Sequence, residues 1–301
     1  MGVEFTAHNI RLDDGTLTMP AAGAPLESHP WAISAKRMLE IMFPGDKSRY
    51  RVADLGCLEG GYAVIFARMG FQVLGIEVRQ SNLAACRFVQ SRTSLPNLDF
   101  ACDDAWNVAK YGSFDAVFCC GLLYHLDRPR KFLELLSAVT KKLVILQTHF
   151  ATADRGGGDG RLRRFLRRII NPVGKAGTSA DKYRLTRLTE NESLHGRWFT
   201  EFASEAQFRD RENFKGSSWD NRRSFWVQRE YLLQAIHDAG FDTVMEQFDG
   251  LGSQIAESML RGFYHTDSRG TFLGIKTSCG EKPLSPPSEH SQTLSRPGLA
   301  T

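Results

Sequence analysis

The chain has 301 residues, 42% of them hydrophobic, and a net charge of +4, enough for one large α/β domain with an insertion or for two modest domains. Its six cysteines lack paired CxxC spacing, no run of about eighteen apolar residues occurs, and residues 1–11 lack a basic region followed by an apolar core; a disulfide-stapled secreted domain and a membrane span are therefore not expected, and a reduced cytoplasmic protein is. The charge is uneven: residues 151–187 hold eight Arg and two Lys against three Asp, which marks either a place for an anionic partner or a solvated basic face.

In chain order, residues 1–48 read as a turn-rich lead-in with Pro20, Gly23, Pro25 and Pro30, followed by a helix over 31–43 that Pro44 and Gly45 end. His8, Asn9 and Trp31 are candidates for the border of a site. From 49 to 148, short apolar runs alternate with helical stretches: strands at 51–55, 72–76, 98–102, 114–120 and 143–148, and helices at 61–69, 81–92 and 129–140. Strands separated by helices of about ten residues predict right-handed crossovers and a doubly wound, mostly parallel sheet of seven strands. The rhythm breaks over 149–223, read as a helical or irregular insertion that covers the ligand site. Within it, a basic amphipathic helix is expected at 161–170, with arginines Arg161, Arg163, Arg164, Arg167 and Arg168 opposite an apolar face. The core resumes over 224–278 with a helix at 227–239 and strands at 243–248 and 271–277. The tail, 279–301, is expected to be disordered.

The chemistry gathers at the strand ends. Asp54 closes the first strand ahead of Gly56-Cys57-Leu58-Glu59-Gly60-Gly61, a turn whose missing Cβ atoms let backbone approach a ligand. Glu77 ends the second strand at the spacing where such a unit grips ribose hydroxyls. Asp103, Asp104 and Trp106 follow the third strand. Gly121, Tyr124 and His125 follow the fourth, where the carboxyl ends of parallel strands line the ligand crevice. His125 is a candidate general base, with packing as the competing role; His149, past the fifth strand, and His195 are further candidates. No His, Cys or acidic spacing suggests a metal.

These features, in this order, resemble the class I S-adenosylmethionine-dependent methyltransferases over 49–148 and 224–276. The resemblance implies a Rossmann-like methyltransferase fold that binds S-adenosyl-L-methionine. It implies that Asp54 binds the methionyl ammonium, that Gly56, Cys57 and Gly60 lie against the methionine and ribose, that Glu77 holds the ribose diol and that Gly121 lies near the methyl group. Asp104, favoured over Asp103, and Trp106 would bind adenine. The chain departs from the family's D-x-G-x-G-x-G at Leu58, where the middle glycine is expected.

The segments Gly121-Leu122-Leu123-Tyr124-His125 and 218–226 also look like bacterial enzymes related to the wobble-uridine transfer-RNA modifying group. That likeness implies an RNA acceptor met by the five arginines, and leaves open a carboxylated form of the cofactor. An aromatic-rich covered insertion instead favours a small or medium organic acceptor, a metabolite, lipid or glycan, methylated on oxygen or nitrogen. A non-catalytic cofactor-binding or interaction module is the reading from another class.

Overall fold

The computed structural model describes residues 3–152, 185–247 and 269–277. After the lead-in come helix α1 (Pro30–Met42), strand β1 (Arg51–Leu55), α2 (Gly61–Arg68), β2 (Gln72–Glu77), α3 (Gln80–Ser91), β3 (Leu98–Cys102), β4 (Phe114–Cys120), α4 (Pro129–Val139) and β5 (Thr140–His149). The later part adds β6 (Thr189–Asn191), β7 (Leu194–Thr200), α5 (Glu205–Arg209), β8 (Arg223–Val227), α6 (Arg229–Asp238), β9 (Thr243–Gln247) and β10 (Arg269–Ile275).

Seven strands form one sheet in the order β3-β2-β1-β4-β5-β10-β9. The first five pair in parallel, and β10 runs antiparallel to both β5 and β9. Both faces are covered, so the central strands are apolar throughout and still sort their side chains by parity. Ala53, Leu55, Val117, Val144 and Leu146 pack with α4 and α6 through Phe132, Leu136 and Ile236. Val52, Ala116, Phe118, Leu143 and Ile145 pack with α1 and α2 through Leu39, Val64 and Phe66. The seven-stranded, mostly parallel fold read from the sequence is the observed one, and the antiparallel β10 is its one reversed strand.

The insertion differs from the expectation of helical or irregular structure. Its described residues supply β6, β7 and one short helix, and β8, which begins at its last residue, completes a three-stranded antiparallel sheet β6-β7-β8. Residues 224–226 belong to β8 instead of leading into a helix, and α6 starts at Arg229. The reason is cross-strand packing: Trp198 stands opposite Phe225 and Arg197 opposite Trp226, and a Cβ on Gly196 would lie 2.3 Å from the Trp226 carbonyl oxygen. An irregular run of aromatics becomes a strand pair only when its partner is in place. Phe225 and Val227 join the core that contains Phe132, and the Phe225 N–H donates to the Leu126 carbonyl at 2.8 Å. This sheet is thereby fastened beside the carboxyl ends of β4 and β5. The expected basic helix with its five arginines, and the tail 279–301, lie outside the described residues.

Candidate functional site

At the end of β1, Asp54 is 2% exposed and its Oδ2 has no hydrogen-bond partner among the described residues. Burial pushes its carboxyl up to about 8; a bond from the Ala63 N–H opposes the rise and the Glu77 charge adds to it. An orphaned buried carboxylate oxygen is costly unless a cation or donor meets it. The turn that follows is wound tightly. The Gly56 and Cys57 amides both donate to the Ile76 carbonyl, at 2.9 and 3.1 Å, and the Gly60 amide donates to Cys57 O at 2.8 Å. The Gly56 and Gly60 amides are thus spent on hydrogen bonds within the protein. At Gly60, with φ +80°, a Cβ would stand 2.7 Å from the Phe100 ring.

Leu58 adopts φ +53°, the left-handed conformation that a glycine takes without cost. Its N–H donates to Glu77 Oε2 at 3.0 Å and its carbonyl accepts from Cys86 Sγ at 3.2 Å. The departure from the family turn thus keeps the turn, held by the carboxylate at the end of β2. Glu77 is 5% exposed and its Oε1 accepts from the Arg79 N–H at 2.8 Å; burial raises its carboxyl, while Arg79 and the Leu58 amide act the other way. Cys57 turns its thiol away into a small cluster with Leu83 and Cys86.

After β3, Asp103 is committed to structure: it accepts from the Asp104 amide, Asn107 Nδ2, Lys110 Nζ and the Tyr111 hydroxyl. Asp104 spends one oxygen capping the next turn, from Trp106 N at 2.9 Å. The Trp106 ring meets Phe132 edge-on at 5.0 Å with the Arg128 guanidinium 4.8 Å from its centre, and its indole N–H donates to Asp220 Oδ2 at 3.1 Å.

At the other side, β4 is followed by Gly121, φ +78°, and a short turn over Leu123–His125. His125 Nδ1 lies 2.9 Å from Glu201 Oε1, with the two side chains 13% and 0% exposed. The other oxygen of Glu201 accepts from the Ser218 N–H at 3.0 Å. The Tyr124 ring lies 4.2 Å from that of His125 and meets His149 edge-on at 4.7 Å, and His149 stacks on Trp226 at 4.7 Å. Tyr124, His125 and His149 are therefore brought together, whereas His195 stacks on Tyr231 on the exposed side of β7. Among the described residues no group of three or more His, Cys, Asp or Glu is placed to hold a metal ion, and no described helix is long and apolar enough to cross a membrane.

Three further residues beside the strand ends were not singled out in the sequence. Glu201 reaches His125 across 76 positions. Arg79 is 6% exposed and donates to the carbonyls of Arg211, Phe214, Ser217 and Ser218, which fastens that loop beside Glu77. Glu59, fully buried, accepts from the amides of Thr6, Ala7 and His8 and from the Thr6 hydroxyl, while His8 Nδ1 accepts from the Gly61 N–H at 3.1 Å. The lead-in is thereby bound to the outside of the glycine turn. Of these, only Glu59 had a local cue, an acidic residue inside an otherwise apolar and glycine-rich turn.

Residues 53–146 match the family described as a methyltransferase domain. The chain also aligns with the ubiquinone biosynthesis O-methyltransferases of Rhodopseudomonas palustris (strain HaA2), 30% identical over 94 residues, and of Chromobacterium violaceum, 30% identical over 93. Those stretches are 31% and 30% of this chain, and it covers only 37% and 40% of the two relatives. Among solved structures, the N-terminal domain of EvdMO1 in the presence of SAH and D-fucose is similar with a TM-score of 0.56 at 22% identity, over 89% of this chain and 90% of that one; the same domain with SAH bound gives 0.53 at 22% identity over 82% and 81%. The sheet order and the carboxylates at the strand ends accompany this match, which makes residues 53–146 similar to a methyltransferase domain.

Proposed function

We propose that this protein is an S-adenosylmethionine-dependent methyltransferase that moves a methyl group to a hydroxyl oxygen, or an amine nitrogen, of a small or medium organic acceptor, with His125 as general base. The observation that carries the reading is the buried His125–Glu201 pair at the end of β4, on the same sheet edge as the orphaned Asp54 carboxylate. The resident groups fit the cofactor. Asp54 Oδ2 needs a cationic donor such as the methionyl ammonium; Glu77 retains acceptor capacity for a ribose diol; Asp104 keeps an oxygen for adenine, whereas Asp103 is saturated; the backbone at Gly56, Cys57, Gly60 and Gly121 would run along the methionine and ribose; and Trp106 would border the adenine end. S-adenosylmethionine, when bound, supplies a methyl group already activated by a sulfonium.

What remains for the protein is to align the acceptor and take its proton. Glu201 accepts a hydrogen bond from Nδ1, which sets the tautomer of His125 and leaves Nε2 as the proton acceptor. As Nε2 takes the acceptor's proton, the buried Glu201 carboxylate faces the imidazolium and compensates its charge. Tyr124 and His149 wall the same end. The named O-methyltransferase relatives and the sugar present with the EvdMO1 domain favour an oxygen nucleophile on a small acceptor. The insertion, 149–223, is the part proposed to select it as a lid.

The test is calorimetric titration with S-adenosylmethionine and S-adenosylhomocysteine, followed by transfer of labelled methyl to catechols, hydroxy acids, sugars and bulk transfer RNA. Saturable cofactor binding and label in a small acceptor are expected. No binding removes the cofactor claim, label in transfer RNA alone moves the acceptor to RNA, and binding without label in any acceptor favours the non-catalytic module.

A further inference from the structure

Arg269 opens β10, and because β10 runs antiparallel to β5 its side chain begins opposite His149, at the carboxyl ends of the parallel strands. Its Nε and Nη2 both donate to one neutral acceptor, Gln147 Oε1, at 3.0 and 2.8 Å. Gln147 is 1% exposed, and its Nε2 has no partner among the described residues. The carboxamide is thus turned so that its oxygen holds the arginine. The guanidinium lies 4.4 Å from the centre of the Trp31 ring and 5.8 Å from that of Tyr124. Its Nη2 stands 3.8 Å from the place of a Cβ on Gly121, where the Tyr124 hydroxyl stands 3.7 Å away.

Among the described residues this half-buried cation has no acidic partner, and Nη1 makes no hydrogen bond there. A planar guanidinium held edge-on by an amide and flanked by two rings presents its remaining N–H groups as a fork, the geometry that takes a carboxylate through two parallel bonds. Its charge is felt nearby: burial first and Arg269 second lower the His29 imidazole. The position also separates it from the strand-end acids. Asp54, Glu77 and Asp104 follow β1, β2 and β3, whereas Arg269 lies beyond β5 on the far side of β4, beside Tyr124 and His149.

We propose that Arg269 receives a carboxylate of the acceptor, so that the substrate is a hydroxy acid or amino acid-like compound held between Arg269 and His125. This rests on the reading of the chain as a methyltransferase. Gln147 acts through Arg269 as a positioning residue, and Trp31 brings the start of α1 into acceptor recognition. The cofactor's own carboxylate carries the same chemistry and is the competing source of the anion.

Two acids, 3,4-dihydroxybenzoate and glucuronate, are each titrated beside their methyl esters into the full chain saturated with S-adenosylhomocysteine. The expected result is that at least one acid binds about 10- to 100-fold more tightly than its ester. Arg269→Gln should erase that preference while S-adenosylhomocysteine binds the variant within about twofold of the parent, and Arg269→Lys should keep part of the preference. Melting curves of both variants confirm that they fold, and Arg269→Lys carries the test should Arg269→Gln fail to. Equal binding of acids and esters, or no binding of either acid, overturns the proposal. So does a loss of S-adenosylhomocysteine affinity of about tenfold or more in Arg269→Gln with the acid preference intact, which would give the arginine to the cofactor. Failure of the parent chain to bind S-adenosylhomocysteine is a different result, and it counts against the methyltransferase reading itself.

Discussion

His125 at the end of β4 and Glu201 just past β7 meet at 2.9 Å, although 76 positions separate them, with the carboxylate fully buried. The pair links the turn after β4 to the segment that follows β7. Replacing His125 by Ala should lower kcat by about 10²- to 10⁴-fold, the usual worth of a general base. Glu201→Gln keeps the shape and removes the charge, at a cost of about 1.5–3 kcal/mol or about 10- to 100-fold in kcat. Cofactor affinity should stay unchanged in both. Single-turnover rates beside calorimetry separate the two quantities, and an unaltered rate in His125→Ala would leave the histidine a packing residue.

Asp54 should couple cofactor binding to proton release. With its carboxyl pushed up to about 8 by burial, it is mostly protonated at pH 7 in the empty chain, and an ammonium arriving at Oδ2 favours the ionised form. Binding at pH 7 should therefore release close to one proton, and affinity should climb as pH rises toward about 8. Calorimetry in two buffers of different ionisation enthalpy reads this directly; identical enthalpies in both would contradict it.

The same residue sets a trade between stability and function. Its folded pKa lies above the ordinary 3.8, so the folded chain holds the proton more tightly. Its contribution is greatest below the unfolded value and is lost as pH rises from there through about 8. Asp54→Asn should consequently raise the melting temperature of the empty protein, most clearly at pH 8, and abolish cofactor binding. A variant that melts lower at pH 8 than the parent would show that the carboxylate has an unseen cation of its own.

The lead-in should detach in acid. Burial lowers the His8 imidazole to about 4, opposed by the Glu59 charge. Burial raises the Glu59 carboxyl, but bonds from His8, Thr6 and Ala7 outweigh it and leave it lowered. Both folded values lie below the ordinary ones, so both contributions are present at neutral pH and lost on acidification: that of His8 between about 6.5 and 4, that of Glu59 below its ordinary 4.5. Hydrogen exchange at Thr6 to His8 should accelerate over this range before the sheet opens. Glu59→Ala should do the same at pH 7, since it strands three amides at about 1–3 kcal/mol each.

Arg79 should govern the order of residues 211–218. Its guanidinium donates to four carbonyls there, and lysine lacks the fork to reach them. Arg79→Lys should speed proteolysis and hydrogen exchange in that loop and weaken cofactor binding several-fold through Glu77, with the sheet's protection unchanged. Uniform loss of protection would make Arg79 a general stabiliser instead.

The sheet and the acidic strand ends were legible in the chain alone because their causes are local. Apolar runs of five to seven residues, spaced by helices, set the parallel order, and the short βαβ spacing puts Asp54 and Glu77 at successive strand ends whatever packs around them. Even the departure at Leu58 was visible, though its left-handed backbone, held by Glu77, was not. The small sheet of the insertion could not be read: Trp198 and Phe225 become strand residues through a partner some thirty positions away, and no local period announces such pairing. For the same reason Glu201, Arg79 and Arg269 were silent. By itself the sequence determined the parallel order of the sheet and which acids stand at its strand ends; only the tertiary structure decided which histidine gains a carboxylate and which strand-end arginine has none among the described residues, because both depend on contacts between segments that the chain order keeps far apart.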